Sequence, residues 1–256
     1  MRVREILLAL TLAGAALAAQ AEALIAIVID DMGDLYSEGR QAIALPGALT
    51  FSFLPHTPYA VQLAKQAHAQ GREVMLHLPM QAERGNRLGP GGITQAMSED
   101  EFRQTLRENL AAVPHLRGVN NHMGSLLTRR AVQMDWMMSE LQQHAVLFFI
   151  DSMTSPRSIA RYAAQGHQIP TTRRDVFLDN QRDRDSIRRQ FALLLSLARE
   201  RGAALAIGHP YPATLQVLAE VLPALERYGV RLVPASRLIA AQQQRSPQLW
   251  HASLSP

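Results

Sequence analysis

The stretch LIAIVIDD, residues 24–31, is the clearest indication of the fold, because an unbroken apolar run leads straight into two carboxylates. Such a run is typical of a strand that is buried on both faces, as the strands of parallel sheets are. Further runs lie at 48–54, 73–78, 145–150, 203–207 and 230–233, with weaker candidates at 118–120 and 175–178. Segments with helical periodicity separate them, and this alternation predicts a parallel α/β fold. We expect a closed or nearly closed β/α barrel first and an open, doubly wound sheet second.

The composition is that of a folded domain. Of the 256 residues, 47% are hydrophobic and 19% are charged, which excludes a disordered chain. No linker rich in Pro, Gly or Ser divides the sequence, so we expect one barrel domain over residues 22–241 and an irregular tail over 242–256. The net charge of +4 and the 5% aromatic content argue against a dedicated nucleic-acid binder. Because cysteine is absent, thiolate metal sites, cysteine nucleophiles and disulfides are excluded.

The first 21 residues have the features of an export signal. Arg2 and Arg4 precede an apolar run over residues 6–18, and Ala19-Gln20-Ala21 has the small residues that signal peptidase reads. The run is too short for a membrane span of about 20 residues. We therefore predict cleavage after Ala21, export to the periplasm and no membrane span in the mature protein. An uncleaved amino-terminal anchor is the alternative.

Polar residues follow six of the predicted strands at the point where each strand ends. They are Asp30-Asp31, His56, His77, Asn121-His122, Asp151 and His209. Each residue alone has a simpler explanation, as a helix cap or as a buried histidine that is hydrogen-bonded. Asp30 and Asp31 cannot both be caps, however, because only one residue occupies the N-cap position. The carboxyl ends of parallel strands form the active sites of β/α barrels, so the combined pattern predicts an active site.

Two imidazoles and one carboxylate at a barrel mouth would make a metal site with open positions. Such a site suits Zn²⁺ first, and Ni²⁺ or Co²⁺ as relatives. A bound metal of this kind lowers the pKa of its water from ~15.7 to about 7, which supplies a nucleophile at neutral pH. A second carboxylate could serve as base and another group as acid. The predicted chemistry is amide or ester hydrolysis.

Five strings carry a family resemblance: AIVIDDMG (26–33), EVMLHLPMQ (73–81), GVNNHMGS (118–125), FFIDSMTS (148–155) and AIGHP (206–210). They resemble the divergent polysaccharide deacetylase family, a branch of the NodB-type carbohydrate esterase and deacetylase superfamily. The resemblance covers roughly residues 24–239. It implies a distorted (β/α)7 barrel with mostly parallel strands in a single domain.

The resemblance also implies roles for individual residues. Asp30 is similar to the catalytic base of the superfamily, and Asp31 to its metal-binding aspartate. His77 is similar to the first histidine of the His-x-x-x-His metal motif, but Gln81 stands where the second histidine is expected. His122 is the candidate replacement ligand.

Other residues match the motifs of the superfamily less closely. His209 is similar to the general acid, although Ile207 takes the leucine position of that motif. Arg173 or Arg174 is the candidate for the arginine of the third motif, and Arg174 is placed with Asn121 beside the substrate. Asp151 is expected to orient a histidine or a substrate hydroxyl.

The implied function is deacetylation of an envelope polysaccharide, with peptidoglycan as one candidate, by attack of a metal-bound water on an acetyl group. The implied cofactor is a divalent metal, Zn²⁺ first. Because Gln81 breaks the metal motif, the alternative is a catalytically degenerate barrel that binds a glycan or a protein partner in the periplasm. Release of acetate from acetylated glycans discriminates the two.

Overall fold

A computed structural model describes residues 22–85, 87–144 and 148–252. The predicted export signal and its cleavage point after Ala21 lie outside the described residues. Within the described ranges, no helix combines the length and the apolar character needed to cross a bilayer.

Strands and helices alternate along the described chain, and 3-10 helices lie at Leu127–Arg129 and Leu222–Tyr228. The other elements are, in order, β1 (Ala23–Met32), α1 (Tyr36–Ile43), β2 (Thr50–Phe53), α2 (Ala60–Ala69), β3 (Glu73–Met80), α3 (Glu99–Ala112), β4 (Leu116–Met123), α4 (Ala131–Gln142), β5 (Phe148–Asp151), α5 (Ala160–Gly166), β6 (Thr171–Arg173), β7 (Val176–Phe177), α6 (Arg184–Arg201), β8 (Ala203–Gly208), α7 (Pro212–Val221), β9 (Val230–Leu232) and α8 (Ala235–Ala252).

The strands form one parallel sheet in the order β6-β5-β4-β3-β2-β1-β8-β7, and β9 pairs with the start of β1. From β1 to β6 each strand lies beside its predecessor, whereas a doubly wound sheet reverses its winding partway. The prediction of a parallel, single-domain α/β barrel is therefore confirmed, and the open doubly wound sheet is excluded.

One chain segment, residues 171–178, joins the two ends of the sheet. Its first part, β6, pairs with β5, and its second part, β7, pairs with β8. The exchange of partners takes place at two consecutive residues: the N–H of Arg174 donates to the carbonyl of Asp151 (2.9 Å) and that of Asp175 donates to the carbonyl of Leu205 (2.8 Å). The sheet thus curls into a barrel with a wall of seven strand positions.

The apolar run of β1 is explained by two cores, one on each face of the sheet. Ile25, Ile27 and Ile29 pack in the outer core between the sheet and the helices, whereas Leu24, Ala26 and Val28 belong to the inner core of the barrel. Successive side chains of a strand point to opposite faces, so burial of both faces requires an unbroken apolar run.

Helix α8 covers the amino-terminal end of the barrel. Leu238 and Ile239 join the inner core, and the first turn of the helix is held by the starts of two strands. The N–H of Ala235 donates to the Thr50 hydroxyl (3.0 Å), and that of Ser236 to the Glu73 carboxylate (3.1 Å). The opposite, carboxyl-terminal end of the barrel is left open for a site.

The helix α8 continues past residue 242, where the sequence predicted an irregular tail, as far as Ala252. The apolar periodicity of the sequence is lost after that residue, but the helix does not depend on it. Gln and Arg, which dominate residues 242–245, are good helix formers even without an apolar stripe.

Candidate functional site

The end of β1 carries a β-bulge that turns both aspartates toward the barrel mouth. Ile29 pairs with Phe51 and Met32 pairs with Phe53, so Asp30 and Asp31 together oppose a single residue of β2. The backbone of Asp31 is left-handed, with φ +54°. Such bulges re-aim side chains near active sites. Without it, Asp31 would face the outer core.

Asp31, His77 and His122, the predicted metal ligands, lie together at the mouth. The Asp31 Oδ1 atom is 3.2 Å from Nε2 of His77 and 3.1 Å from Nδ1 of His122. The two imidazole nitrogens are 3.3 Å apart. Three ligand atoms from three strands therefore form a nearly equilateral triangle, and among the described residues they are the group able to hold a metal ion.

The protonation of His77 is fixed by Asn120. The amide oxygen of Asn120 lies 2.8 Å from Nδ1 of His77 and can only accept, so Nδ1 carries the proton. In the neutral ring Nε2 then carries the lone pair, and it faces Asp31, whose buried Oδ1 accepts no well-directed hydrogen bond from the described residues. Three electron-rich atoms this close together repel one another unless a positive charge lies among them, which a proton on an imidazole or a bound cation supplies.

The triangle fits a first-row divalent metal. Ligand atoms at about 2.0–2.1 Å from a tetrahedral Zn²⁺ are separated by about 3.3–3.4 Å, close to the edges of this triangle. Nitrogen and carboxylate donors are also the set that zinc takes when cysteine is absent. Asp31, His77 and His122 would hold the ion.

Burial and charge act in opposite directions at this group. Burial alone raises the pKa of Asp31, but the adjacent nitrogens of His122 and His77 outweigh it and lower that pKa far below its usual range. Burial alone lowers the pKa of His77, and the carboxylates of Asp30 and Asp31 reverse the effect and raise it. Asp31 is thus a carboxylate at any physiological pH, as a metal ligand must be.

Asp30 lies below the triangle, fully buried. Both of its oxygens accept from the Asn120 amide, at 2.8 and 3.0 Å, and Oδ2 is 3.5 Å from Nε2 of His77. Ser52 in turn donates to the Asn120 oxygen (2.6 Å). Burial is the main cause that raises the pKa of Asp30. A buried carboxyl with a raised pKa suits a proton acceptor that works near neutral pH.

The sequence-based interpretation missed Asn120 and chose Asn121. Residues 118, 120 and 122 of β4 alternate, so the inward position of His122 implies that Asn120 also faces the site. Asn121 also lines the site cavity, and its side chain braces the wall: its amide donates to the carbonyl of Met123 (2.7 Å), and its oxygen accepts from the N–H of Ser152 (2.9 Å). Its predicted place beside the substrate stays a prediction.

His209, the predicted acid, lies on the other side of Asp31. Its Nε2 is 3.7 Å from Oδ2 of Asp31, and its Nδ1 donates to Oδ1 of Asp179 (2.9 Å). Asp179 is buried, and its second oxygen accepts from Thr214 (2.8 Å). Burial lowers the pKa of His209, but the bond to Asp179 outweighs it and raises that pKa. Sequence reasoning missed Asp179, whose only signal is its position just after β7.

Arg174, rather than Arg173, lies in the wall of the site. Its guanidinium donates to the carbonyls of Ser152 (2.7 Å) and Met153 (2.9 Å) and lies 4.8 Å from the ring centre of Phe177. Burial is the main cause that lowers the pKa of Arg174.

Asp151 is expected from the sequence to orient a histidine or a substrate hydroxyl; within the described chain it contacts no histidine, and a role toward a substrate hydroxyl stays a prediction. Its carboxylate accepts from the N–H of Met153 (2.9 Å) and from the hydroxyl of Ser158 (2.6 Å). These bonds satisfy both oxygens at the strand end. The residue therefore shapes the loop whose carbonyls hold Arg174.

Two other residues noted in the sequence, His56 and Gln81, do not line the site cavity. His56 is turned to Asn109, with 3.1 Å between His56 Nε2 and the Asn109 oxygen. Gln81 uses its side-chain oxygen to accept from the N–H of Gln95 (2.8 Å) and braces the loop that follows β3. The place of the missing motif histidine is therefore not filled by the Gln81 amide.

A cavity of about 230 Å³ opens above these groups. Its lining includes Asp30, Asp31, His77, His122, Arg174 and His209. A buried carboxyl, three candidate ligands and an imidazole backed by a carboxylate thus face one small space. This is an arrangement of base, metal ligands and acid that can hydrolyse an amide or an ester.

The chain is similar to several known proteins. Residues 27–239 match the family model described as divergent polysaccharide deacetylase. The chain is 38% identical over 219 residues to the uncharacterized protein YibQ of Escherichia coli K12, covering 86% of this chain and 68% of that protein.

Two solved structures share the fold. The uncharacterized protein ATU2773 of Agrobacterium tumefaciens C58 has a TM-score of 0.82 at 22% identity, over 86% of this chain and 90% of that one. BA3943 of Bacillus anthracis, described as a CE4 family pseudoenzyme, has a TM-score of 0.51 at 15% identity, over 86% and 66%. At these identities the likeness extends to the fold alone. The family match covers most of the sequence, and the chain belongs to the divergent polysaccharide deacetylase family.

Proposed function

We propose that this protein is a metal-dependent deacetylase that acts on an acetylated polysaccharide of the cell envelope, with zinc as the preferred metal. The observation that carries the proposal is the triangle of Asp31, His77 and His122, whose edges of 3.1–3.3 Å suit one divalent ion. The family and the features of residues 1–21 support a glycan substrate and a periplasmic location.

Separate residues would bind the metal, accept a proton and donate a proton. A divalent ion at the triangle would supply an activated water and polarise the acetyl carbonyl. Asp30, held by Asn120, accepts the proton that the attacking water loses. His209, held by Asp179, donates a proton to the departing amine or alcohol from the other side of Asp31. Arg174, through its bonds to the carbonyls of Ser152 and Met153, holds the loop after β5 in the wall of the site cavity.

The test is acetate release by the full-length protein, depleted of metal and reloaded with zinc, on acetylated chitooligosaccharides and peptidoglycan fragments. We expect release that depends on zinc. Asp30→Asn should keep bound zinc and lose roughly 10²–10⁴-fold in rate, because an amide cannot accept the proton. His122→Ala should lose both zinc and activity.

The proposal fails if the zinc-loaded wild type releases no acetate from any of these substrates. In that case a role in glycan or partner binding, which the substitution at Gln81 suggests, takes its place. If His122→Ala retains full zinc content, the assignment of His122 as a ligand is wrong.

A further inference from the structure

A second and larger cavity, of about 590 Å³, lies at the amino-terminal end of the barrel. We call it the basal cavity. Ala203, the first residue of β8, lines it, whereas His209 of the catalytic site follows the last residue of the same strand. At about 3.3 Å per residue, the two sites are about 20 Å apart along β8. The basal cavity is therefore separate from the proposed catalytic site.

The basal cavity exists because of the way in which the barrel closes. The segment 171–178 pairs with β5 before Arg174 and with β8 after it. Before that exchange, β6 forms no ladder with β8 in the described chain, and the wall opens between them. Residues of α5, α6 and α8 surround the opening.

The lining of the basal cavity is strongly basic. It contains four arginines: Arg161, Arg173, Arg201 and Arg245. Among the described residues that line it, one carries a carboxylate: Asp175, which pairs with Arg201 (3.6 Å) and also accepts from the N–H of Leu205 (2.9 Å). The remaining polar lining residues carry amides and hydroxyls, so the charge of three guanidinium groups is not balanced.

These three guanidinium groups also lack partners. The buried Nε of Arg161 has no acceptor, and in the part of the chain that the structure describes the side chains of Arg173 and Arg245 form no hydrogen bond or ion pair. Arg245 packs directly on Gly202, where a Cβ atom would collide with its guanidinium. A buried N–H without an acceptor is costly at Arg161, and Arg173 and Arg245 bring further positive charge to the same cavity, so an anion would complete the arrangement.

We propose that the basal cavity binds a phosphate group. The planar guanidinium fork matches phosphate oxygens in pairs. A phosphate monoester carries close to two negative charges and three acceptor oxygens, which suits three unpaired arginines better than the single charge of a carboxylate does. The source is inorganic phosphate, a soluble phosphate ester or a phospholipid headgroup.

The test measures binding by the full-length protein and needs no catalytic activity. We expect inorganic phosphate, titrated calorimetrically at constant ionic strength, to bind saturably with a Kd below about 1 mM. Arg161→Gln and Arg173→Gln should each weaken it roughly tenfold. Arg117→Gln removes the same charge from an exposed arginine outside the cavity and should leave Kd unchanged. Arg173 is itself exposed, so its variant is expected to fold even where loss of Arg161 disturbs packing.

Vesicles distinguish the sources of the phosphate. Sedimentation with phosphatidylglycerol vesicles, but not with phosphatidylcholine vesicles, that is lost in Arg173→Gln would indicate a lipid headgroup. Phosphate binding without sedimentation would indicate a soluble ligand. The proposal is overturned if phosphate does not bind at 10 mM, or if Arg173→Gln and Arg117→Gln bind it alike.

Discussion

Asn120, which the sequence analysis did not single out, bonds to both His77 and Asp30 in the candidate site. Its oxygen accepts from His77 (2.8 Å) and Ser52 (2.6 Å), and its amide donates to Asp30 (2.8 Å). One side chain therefore orients a candidate ligand and the candidate base together. Partners of this kind raise the basicity of a ligand histidine and fix its ring.

Replacement of Asn120 should weaken metal binding without removing a ligand. We expect Asn120→Ala to reduce zinc affinity about 10- to 100-fold, because His77 loses the acceptor that fixes its tautomer. The measurement is a competition titration with a chromogenic chelator. Asn109→Ala is the matched control, since Asn109 is equally buried but bonds to His56 and Gly91. Equal zinc affinity of Asn120→Ala and wild type would contradict the role given to Asn120.

The hydrogen bond between His209 and Asp179 is expected to set the pH above which activity falls. His209 acts as an acid only while protonated, so activity falls as pH rises through its pKa. Asp179 raises that pKa, and Asp179→Asn removes the charge. The alkaline limb of kcat/KM should therefore move to lower pH. Asp135→Asn, which alters a surface pair with His167, should leave the limb in place. An unmoved limb in Asp179→Asn would show that His209 is not the acid.

At the scale of elements, β1 shows what the sequence predicts and what it does not. Its apolar run predicts a strand buried on both faces, and this prediction is confirmed. The two aspartates at its end are also visible in the sequence. The bulge that turns Asp31 into the site depends on how β1 and β2 pair. No residue of β1 by itself predicts this bulge. Pairing also decides the division of residues 171–178 between β6 and β7, where the sequence predicts one strand at 175–178.

Helix α3 is stabilised by local contacts that the sequence shows directly. The Ser98 hydroxyl accepts from the N–H of Glu101, and the Glu101 carboxylate accepts from the N–H of Ser98, which makes a capping box. Ser98→Ala should cost about 1 kcal/mol and lower Tm by about 2–4 °C.

Differential scanning calorimetry of the full-length protein measures the effect on α3. Ser37→Ala, at a serine inside α1 that caps no helix, serves as control and should stay within about 0.5 kcal/mol of wild type. A change in Ser98→Ala no larger than that of the control would mean that the capping box adds no stability.

The whole molecule is a barrel with two chemically different ends. At the carboxyl-terminal end, inward side chains of β1, β3 and β4 bring acids and imidazoles together, as parallel strands allow. At the other end, the seam between β6 and β8 leaves a cavity lined by arginine. The sequence indicates the first end, because polar residues interrupt apolar runs there. It does not indicate the second, because the arginines come from separate helices and strands.

The proposed chemistry depends on one divalent ion held jointly by Asp31, His77 and His122. Anomalous diffraction at the zinc absorption edge, from crystals of the zinc-loaded protein, tests it directly. We predict one strong peak about 2.0–2.2 Å from a carboxylate oxygen of Asp31, Nε2 of His77 and Nδ1 of His122. A zinc-loaded crystal with no peak at these three atoms, or with its peak on other residues, would show that they do not form the metal site.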